Sequence, residues 1–248
     1  MNISVYFTPL GVTSQAIGGK PVLVLDVLRA TTSIVAAMAN GARSVVPAES
    51  PDEALRLAGN LERDGVLLAG ERNMIRVEGF DLGNSPLEMK GDVVAGKNVV
   101  MATTNGTPAL IAADSGNPVL VGAVTNFSAV VARARELCET NGELHILCAG
   151  RKRMFALEDA YVAGRYAAAL VPSRERRHAR LNDAAIAALE LVRRYGEHWR
   201  RAVGASAAAQ DLRQLGFKAD LDAATEVDTY TVIPVYSERL VRLPPVTR

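Results

Sequence analysis

Short apolar runs rich in valine and isoleucine alternate along this chain with alanine-rich stretches of helical periodicity. The run Val22–Leu25 contains no polar residue, which is typical of a strand covered on both faces of a sheet. Runs of the same kind predict further strands at Ser44–Pro47, Val66–Ala69, Asn98–Ala102, Pro118–Val121 and His145–Cys148. Strands that alternate with helices predict an α/β fold, arranged as three layers (α/β/α) around a mostly parallel or mixed sheet.

Helix signals lie between these runs. Ser50 is expected to cap a helix over 51–63 that begins with Pro51, and other helices are predicted over 32–41, 108–114, 128–138 and 157–170. After Pro172 the pattern predicts a long amphipathic helix, 181–201, interrupted at Gly196, and then a small-residue linker that begins at Gly204. We expect the last strand, 231–235, at a sheet edge, because Pro234 cannot donate a hydrogen bond to a neighbouring strand.

The chain is expected to form one compact unit over residues 1–248. Segments 22–46 and 99–121 share the order strand, Ala-Thr-Thr, helix, turn and strand, so the halves 1–96 and 97–248 are candidates for an internal repeat. Chance resemblance between two β-loop-α units is the alternative.

Composition narrows the class of protein. The formal net charge of the 248 residues is +1, and no charged block indicates nucleic acid or a membrane surface as a partner. Two cysteines and three histidines do not suffice for a typical zinc site, so we expect free thiols and a reducing compartment. The first residues lack the pattern of a signal peptide, and no apolar run approaches the roughly 20 residues of a membrane span. A cytoplasmic location is therefore expected.

The residues that follow each strand are the first candidates for a functional site, because ligands of open α/β sheets bind beyond the carboxyl ends of the strands. Asp26 follows the first run and is suited to bind a metal ion or to act as a nucleophile. Arg29 is suited to bind a phosphate through two hydrogen bonds, while Thr31 and Thr32 place hydroxyl and amide groups at a helix N-terminus. The alternative is structural: an aspartate that ends a strand and a threonine that caps a helix.

Later strand ends carry the same kinds of residue. Glu71 and Arg72 follow one strand, and Asp81 and Asn84 lie in a glycine-rich stretch for which a tight turn is the alternative. Further candidates to bind substrate or metal are Thr104, Asn105, Arg151, Glu158 and Asp159. Together these residues predict a small phosphorylated, anionic substrate and a Mg²⁺ cofactor, with oxygen ligands from Asp26, Glu71, Asp81, Glu158 and Asp159. Hydride transfer and serine-hydrolase chemistry are less favoured, because no G-x-G-x-x-G and no G-x-S-x-G motif occurs.

Five motifs of this chain, taken in order, resemble the motifs of the 2-phosphosulfolactate phosphatase family. They are DVLRATTS, GER, GFDLGNSPLE, TTNGT, and CAG with FALEDA. The resemblance implies an α/β fold, dependence on magnesium, and hydrolysis of a phosphate ester on a small sulfonated hydroxy acid, a step toward coenzyme M. The residues in matching motifs are Asp26, Arg29, Thr31, Thr32, Glu71, Arg72, Asp81, Asn84, Thr104, Asn105, Glu158 and Asp159.

Three segments depart from the pattern of this family. Asn73-Met74 stands where the family usually has two glycines, residues 151–154 lack a usual glycine, and residues 206–209 lack a usual histidine and glycine. These changes leave two hypotheses: an active phosphatase with Asp26, Arg29, Glu71 and Asp81 as catalytic residues, or a relative without turnover that binds an anionic ligand. In the first hypothesis, direct attack by Asp26 and attack by water are both open. The assembly considered is a homodimer.

Overall fold

The structure, a computed structural model, describes residues 1–61, 65–172, 174 and 178–245. Its strands are β1 (Asn2–Tyr6), β2 (Val22–Leu25), β3 (Ser44–Ala48), β4 (Val66–Arg72), β5 (Ile75–Arg76), β6 (Asn98–Ala102), β7 (Val119–Gly122), β8 (Glu143–Cys148), β9 (Arg180–Leu181), β10 (Val235–Ser237) and β11 (Leu240–Arg242). Its helices are α1 (Ser14–Ile17), α2 (Ala30–Ala39), α3 (Pro51–Gly59), α4 (Gly91–Val94), α5 (Gly106–Ala112), α6 (Phe127–Asn141), α7 (Leu157–Leu170), α8 (Asp183–Tyr195), α9 (Trp199–Gly204), α10 (Ala207–Gln214) and α11 (Lys218–Ala224).

The strands form one mixed sheet in the order β5-β4-β6-β3-β11-β10-β7-β2-β8-β1-β9. Most neighbours are parallel, while the hairpin of β10 and β11 lies antiparallel between β7 and β3. The predicted α/β fold with a mixed sheet is confirmed. Strands from the two halves of the sequence interleave, since β6 pairs with both β3 and β4. The internal repeat stays a prediction.

Alternate residues of each central strand pack on opposite faces of the sheet. Leu23 and Leu25 of β2 belong to one apolar cluster, which includes side chains from α6, α7 and α8. Val22 and Val24 belong to a second cluster, which includes side chains from α2 and α5. Because helices cover both faces of the sheet, a central strand such as β2 is apolar throughout, and the three layers that this pattern predicts are present.

The last part of the chain differs from the sequence-based expectation in two places. The final strands are central rather than at an edge, because Pro234 lies just outside β10, where its carbonyl accepts a hydrogen bond from Val121 of β7. The predicted linker at Gly204 is replaced by helix α10, which Ser206 caps through its hydroxyl group. The break at Gly196 is confirmed as the end of α8. Helix α3 ends at Gly59, and part of the stretch over which we predicted its continuation, 62–63, lies outside the described residues.

Among the described residues, the helices are all too short or too polar to cross a lipid bilayer.

Candidate active site

A cavity of about 310 Å³ opens where several strands end, and loops after β2, β4, β6 and β8 contribute to its wall. Nine of the predicted site residues line it: Asp26, Arg29, Glu71, Asn84, Thr104, Asn105, Arg151, Glu158 and Asp159. The cavity is also lined by Met74, Lys152 and Ala208, which lie in the three segments that depart from the family pattern, and by Asp211 and Leu215, which the sequence did not single out. The geometry therefore brings together loops that are far apart in the sequence.

Asp26 is held by the first turn of helix α2. Its Oδ1 accepts a hydrogen bond from the Ala30 amide at 3.1 Å. The Thr31 hydroxyl donates to the Asp26 carbonyl at 3.0 Å and accepts from the Asp26 amide at 2.9 Å, while the Thr32 hydroxyl donates to the Val27 carbonyl at 2.8 Å. Thr31 and Thr32 thus brace the loop that carries Asp26 and are not part of the cavity wall.

Two further carboxylates connect loops of different strands. Glu71 accepts from the Thr104 amide and from the Met74 amide, both at 2.7 Å. Asp159 accepts from the Val27 amide at 2.9 Å and from the Gly150 amide at 3.1 Å. Each carboxylate satisfies two backbone donors that would otherwise lie unpaired at the strand ends, which fixes the relative positions of the loops.

Burial makes ionisation of Asp26, Glu158 and Asp159 unfavourable. Asp26, Glu71, Glu158 and Asp159 are between 2% and 6% exposed. Burial is the main reason that the pKa of Asp26 rises to about 7, and the charges of Glu71 and Glu158 also raise it, against the hydrogen bond from Ala30. Burial likewise raises the pKa of Glu158, and burial together with the neighbouring carboxylates raises the pKa of Asp159 well above its ordinary value. Protons or a cation would relieve this repulsion.

The arginines of the cavity offset only part of the charge of this cluster. Arg29 and Arg151 are each paired with an aspartate of the C-terminal helices, Asp220 and Asp211 respectively. The remaining charges on the wall are the four buried carboxylates and Lys152. We call the part of the cavity formed by these four carboxylates its floor. A phosphate ester would be repelled from this floor unless protons or a divalent cation were bound there.

The donors fit a magnesium ion that keeps part of its water shell. Asn84 is 4% exposed and lines the cavity, and its Oδ1 is buried without a hydrogen-bond partner among the described residues. No three His, Cys, Asp or Glu side chains of the described residues are arranged to hold a metal ion together. The five-carboxylate ligand set predicted from the sequence is therefore not preformed. One or two carboxylates, water and substrate phosphate are the usual ligands of Mg²⁺ in such sites.

Both terminal nitrogens of the Arg29 guanidinium group donate to protein groups. Nη1 donates to Asp220 Oδ2 and Nη2 donates to the Met74 carbonyl, both at 2.6 Å, while the group lies 4.6 Å from the centre of the Phe217 ring. Ser85 donates to the other oxygen of Asp220 at 2.6 Å. Arg29 thus fastens helix α11 and the turn after β4 to the cavity, and its side chain is not the open phosphate clamp that the sequence suggested.

Two tight turns at the cavity place non-glycine residues in the left-handed backbone region. Asn73 and Met74 join β4 to β5 with φ of 52° and 69°, and Lys152 and Arg153 form a second turn with φ of 50° and 63°. Positive φ at both central residues is the pattern of type I′ turns, which favour glycine and asparagine. These are two of the segments that depart from the family pattern, so the departures change side chains at positions whose backbone still follows a glycine-like path.

Asp81 and Arg72 are not brought to the cavity. The exposed Asp81 carboxylate accepts a hydrogen bond from the Leu68 amide at 2.8 Å, beside the edge of β4. Arg72 donates to the carbonyl of the preceding residue, Glu71, at 2.8 Å. Asp81 therefore satisfies a strand-edge donor, which agrees with the structural alternative for the glycine-rich stretch, and it does not line the cavity that the other four carboxylates line.

Both cysteines are free and buried. Burial raises the pKa of the Cys148 thiol well above its ordinary value, which disfavours the reactive thiolate. The expectation that Cys148 packs in the core is confirmed.

Comparison with known proteins decides the family. A model of the 2-phosphosulpholactate phosphatase family matches residues 6–239. The chain belongs to this family. A relative from Caldanaerobacter subterraneus subsp. tengcongensis is 35% identical over 249 residues, which cover 98% of both chains. A relative from Symbiobacterium thermophilum is 37% identical over 226 residues, which cover 91% of this chain and 94% of its own. Each carries the name "Probable 2-phosphosulfolactate phosphatase".

Membership of the 2-phosphosulfolactate phosphatase family confirms the resemblance drawn from the five motifs. The three segments that depart from the family pattern all reach the cavity, through Asn73 and Met74, through Arg151 and Lys152, and through Ala208. The departing segments therefore contribute to the walls of the site, whereas the four buried carboxylates lie in segments that match the motifs of the family.

Proposed function

We propose that the chain is a magnesium-dependent phosphatase that hydrolyses the phosphate ester of a small hydroxy acid bearing a sulfonate or carboxylate group. The observation that carries this proposal is the cluster of four buried carboxylates, Asp26, Glu71, Glu158 and Asp159, whose charge the paired arginines offset only in part. Family membership supports the reaction class, since the relatives are named as phosphatases of 2-phosphosulfolactate.

The protein groups have separate tasks in this proposal. Asp26, Glu71 and the Asn84 amide oxygen are the candidates to hold Mg²⁺, which would neutralise the floor and polarise the phosphoryl group when bound. Hydrolysis breaks the ester P–O bond, forms a bond from phosphorus to a water oxygen, and transfers a proton to the leaving alkoxide. Asp26 Oδ2 is the atom proposed to take the proton of the attacking water. Direct attack by the same oxygen, with an aspartyl phosphate intermediate, is the alternative.

Release of inorganic phosphate tests the function. We expect the wild-type protein to release phosphate from 2-phosphosulfolactate with Mg²⁺, and to stop when EDTA removes the metal. Asp26→Asn should abolish release, whereas Asp81→Asn should retain it. Release that is unaffected by EDTA would contradict the metal proposal, and release that persists in Asp26→Asn would contradict the assigned site.

A relative without turnover, which binds an anionic ligand, is the second candidate. It is favoured by the positions of the departing segments, because Ala208 lines the cavity where the family pattern expects a histidine. Calorimetric binding of 2-phosphosulfolactate without phosphate release would support this alternative.

We propose a cytoplasmic location, which the free thiols of both cysteines support. The homodimer stays a prediction, to be checked by light scattering.

A further inference from the structure

Of the positively charged side chains that line the cavity, Lys152 differs from Arg29 and Arg151 in its ion pairing. Arg29 is bound to Asp220, and Arg151 is bound to Asp211. Lys152 also lines the cavity, but its ammonium group makes no ion pair with any residue that the structure describes. Among the lining residues that the structure describes, Lys152 is therefore the positive charge without a carboxylate partner that an anionic ligand at the rim would meet.

A defined turn holds Lys152 at the rim. The Arg151 amide donates to the Met154 carbonyl at 2.8 Å, and the Met154 amide donates back to the Arg151 carbonyl at 2.9 Å. The Lys152 amide is bound to Asn105 Oδ1 at 2.9 Å, which ties this turn to the loop after β6. Of the two basic residues at the centre of the turn, Lys152 lines the cavity and Arg153 does not.

The rim and the floor of the cavity suit different ends of one substrate. The four carboxylates of the floor are buried, whereas the Lys152 side chain is exposed. A phosphoryl group held at the floor would point the rest of a small molecule toward the rim. A lysine ammonium is a compact charge with no fixed fork, so it accepts a sulfonate or a carboxylate equally well.

We propose that Lys152 binds an acidic group of the substrate other than the phosphate, a sulfonate or a carboxylate, and so determines specificity for substrates with more than one anionic group. This inference rests on the proposed phosphatase function. It assigns a binding role to a side chain that occupies a backbone position better suited to glycine.

Two glycine variants in one turn provide a matched test. Lys152→Gly and Arg153→Gly each relieve a positive φ, so neither is expected to lower the midpoint of urea unfolding. The substrates are 2-phosphosulfolactate, 2-phospholactate, which lacks the sulfonate, and isopropyl phosphate, which lacks both acidic groups. For Lys152→Gly we expect KM for 2-phosphosulfolactate to rise about 10-fold relative to KM for isopropyl phosphate, because a charge-assisted contact is lost. Arg153→Gly should keep the wild-type ratio, and Lys152→Arg should recover most of it.

The response to 2-phospholactate identifies the group that is bound. An increase in KM for 2-phospholactate equal to that for 2-phosphosulfolactate assigns the carboxylate to Lys152, and an increase confined to 2-phosphosulfolactate assigns the sulfonate. Equal changes for all three substrates, or equal effects of the two glycine variants, would overturn the inference.

Failure of the phosphatase proposal can be recognised separately. If the wild-type protein releases phosphate from none of the three esters, calorimetry with 2-phosphosulfolactate replaces the kinetic assay. Weaker binding of 2-phosphosulfolactate to Lys152→Gly than to Arg153→Gly would support the binding role of Lys152. Equal binding to both variants, or no binding to the wild type, would contradict it.

Discussion

Removal of Asp220 should leave the Arg29 guanidinium group buried without its carboxylate. The two side chains are 3% and 4% exposed, and Arg29 Nη1 lies 2.6 Å from Asp220 Oδ2. Loss of one partner of a buried ion pair costs about 3–5 kcal/mol, because the remaining charge cannot return to water. We therefore expect Asp220→Ala to lower the free energy of unfolding by about 3–5 kcal/mol. Asp220→Asn should lower it less, since the amide oxygen can still accept from Arg29.

A double-mutant cycle separates the ion pair from other losses. We expect Arg29→Met with Asp220→Leu to destabilise less than the sum of the single changes, with a coupling energy of about 2–3 kcal/mol. Urea unfolding without metal is the assay. The exposed pair Arg193–Glu190, with side chains 82% and 63% exposed, is the matched control and should show a coupling energy below about 0.5 kcal/mol. Additive losses at Arg29 and Asp220 would refute the reasoning that this pair fastens α11 to the site.

Three further predictions follow from individual contacts. A Cβ on Gly106 would lie 2.3 Å from the Ala30 Cβ and 2.6 Å from Asp26 Oδ2, so Gly106→Ala should reduce kcat at least about 10-fold by displacing Asp26, as measured by phosphate release. The pKa of Asp26 is raised to about 7 in the folded state, so the folded protein binds a proton more tightly than the unfolded chain. The free energy of unfolding of the metal-free protein should therefore fall as pH rises from about 4 to 7. Added Mg²⁺ should stabilise the protein most above pH 7, and urea unfolding measures both effects. Met74→Gly relieves a φ of 69° and should raise the free energy of unfolding by about 1 kcal/mol, whereas a decrease would show that the side chain is needed for packing.

The regular core could be predicted because local sequence patterns specify it. The strands Val22–Leu25 and Asn98–Ala102 and the helix Leu157–Leu170 have the bounds that the apolar runs and helical periodicity predict. The two strands are covered on both faces of the sheet, and the helix coincides with a clearly periodic stretch. The signal that predicts each element is therefore contained in adjacent residues. The segment from Ser206 to Gln214 lacks such contrast, because its alanines are compatible with a linker as well as with a helix.

The residues of the candidate site also divide into those that the local sequence predicts and those that it does not. Asp26, which directly follows β2, and Glu71, which lies near the end of β4, were found because parallel strands end at one edge of the sheet. Asp211 and Asp220 were missed, since Asp220 meets Arg29 across 191 positions and no local motif marks it. Asp81 was misplaced because a carboxylate that satisfies a strand-edge amide has the same sequence signature as a metal ligand.

The central claim is that the buried carboxylates hold a divalent cation that allows a phosphate group to bind. A crystal grown with Mn²⁺ and inorganic phosphate, examined by anomalous scattering, tests it most directly. We predict one manganese peak within coordinating distance of Asp26 or Glu71, with phosphate on its open side facing Lys152. The absence of manganese from this cavity, with phosphate bound elsewhere on the molecule, would contradict the account.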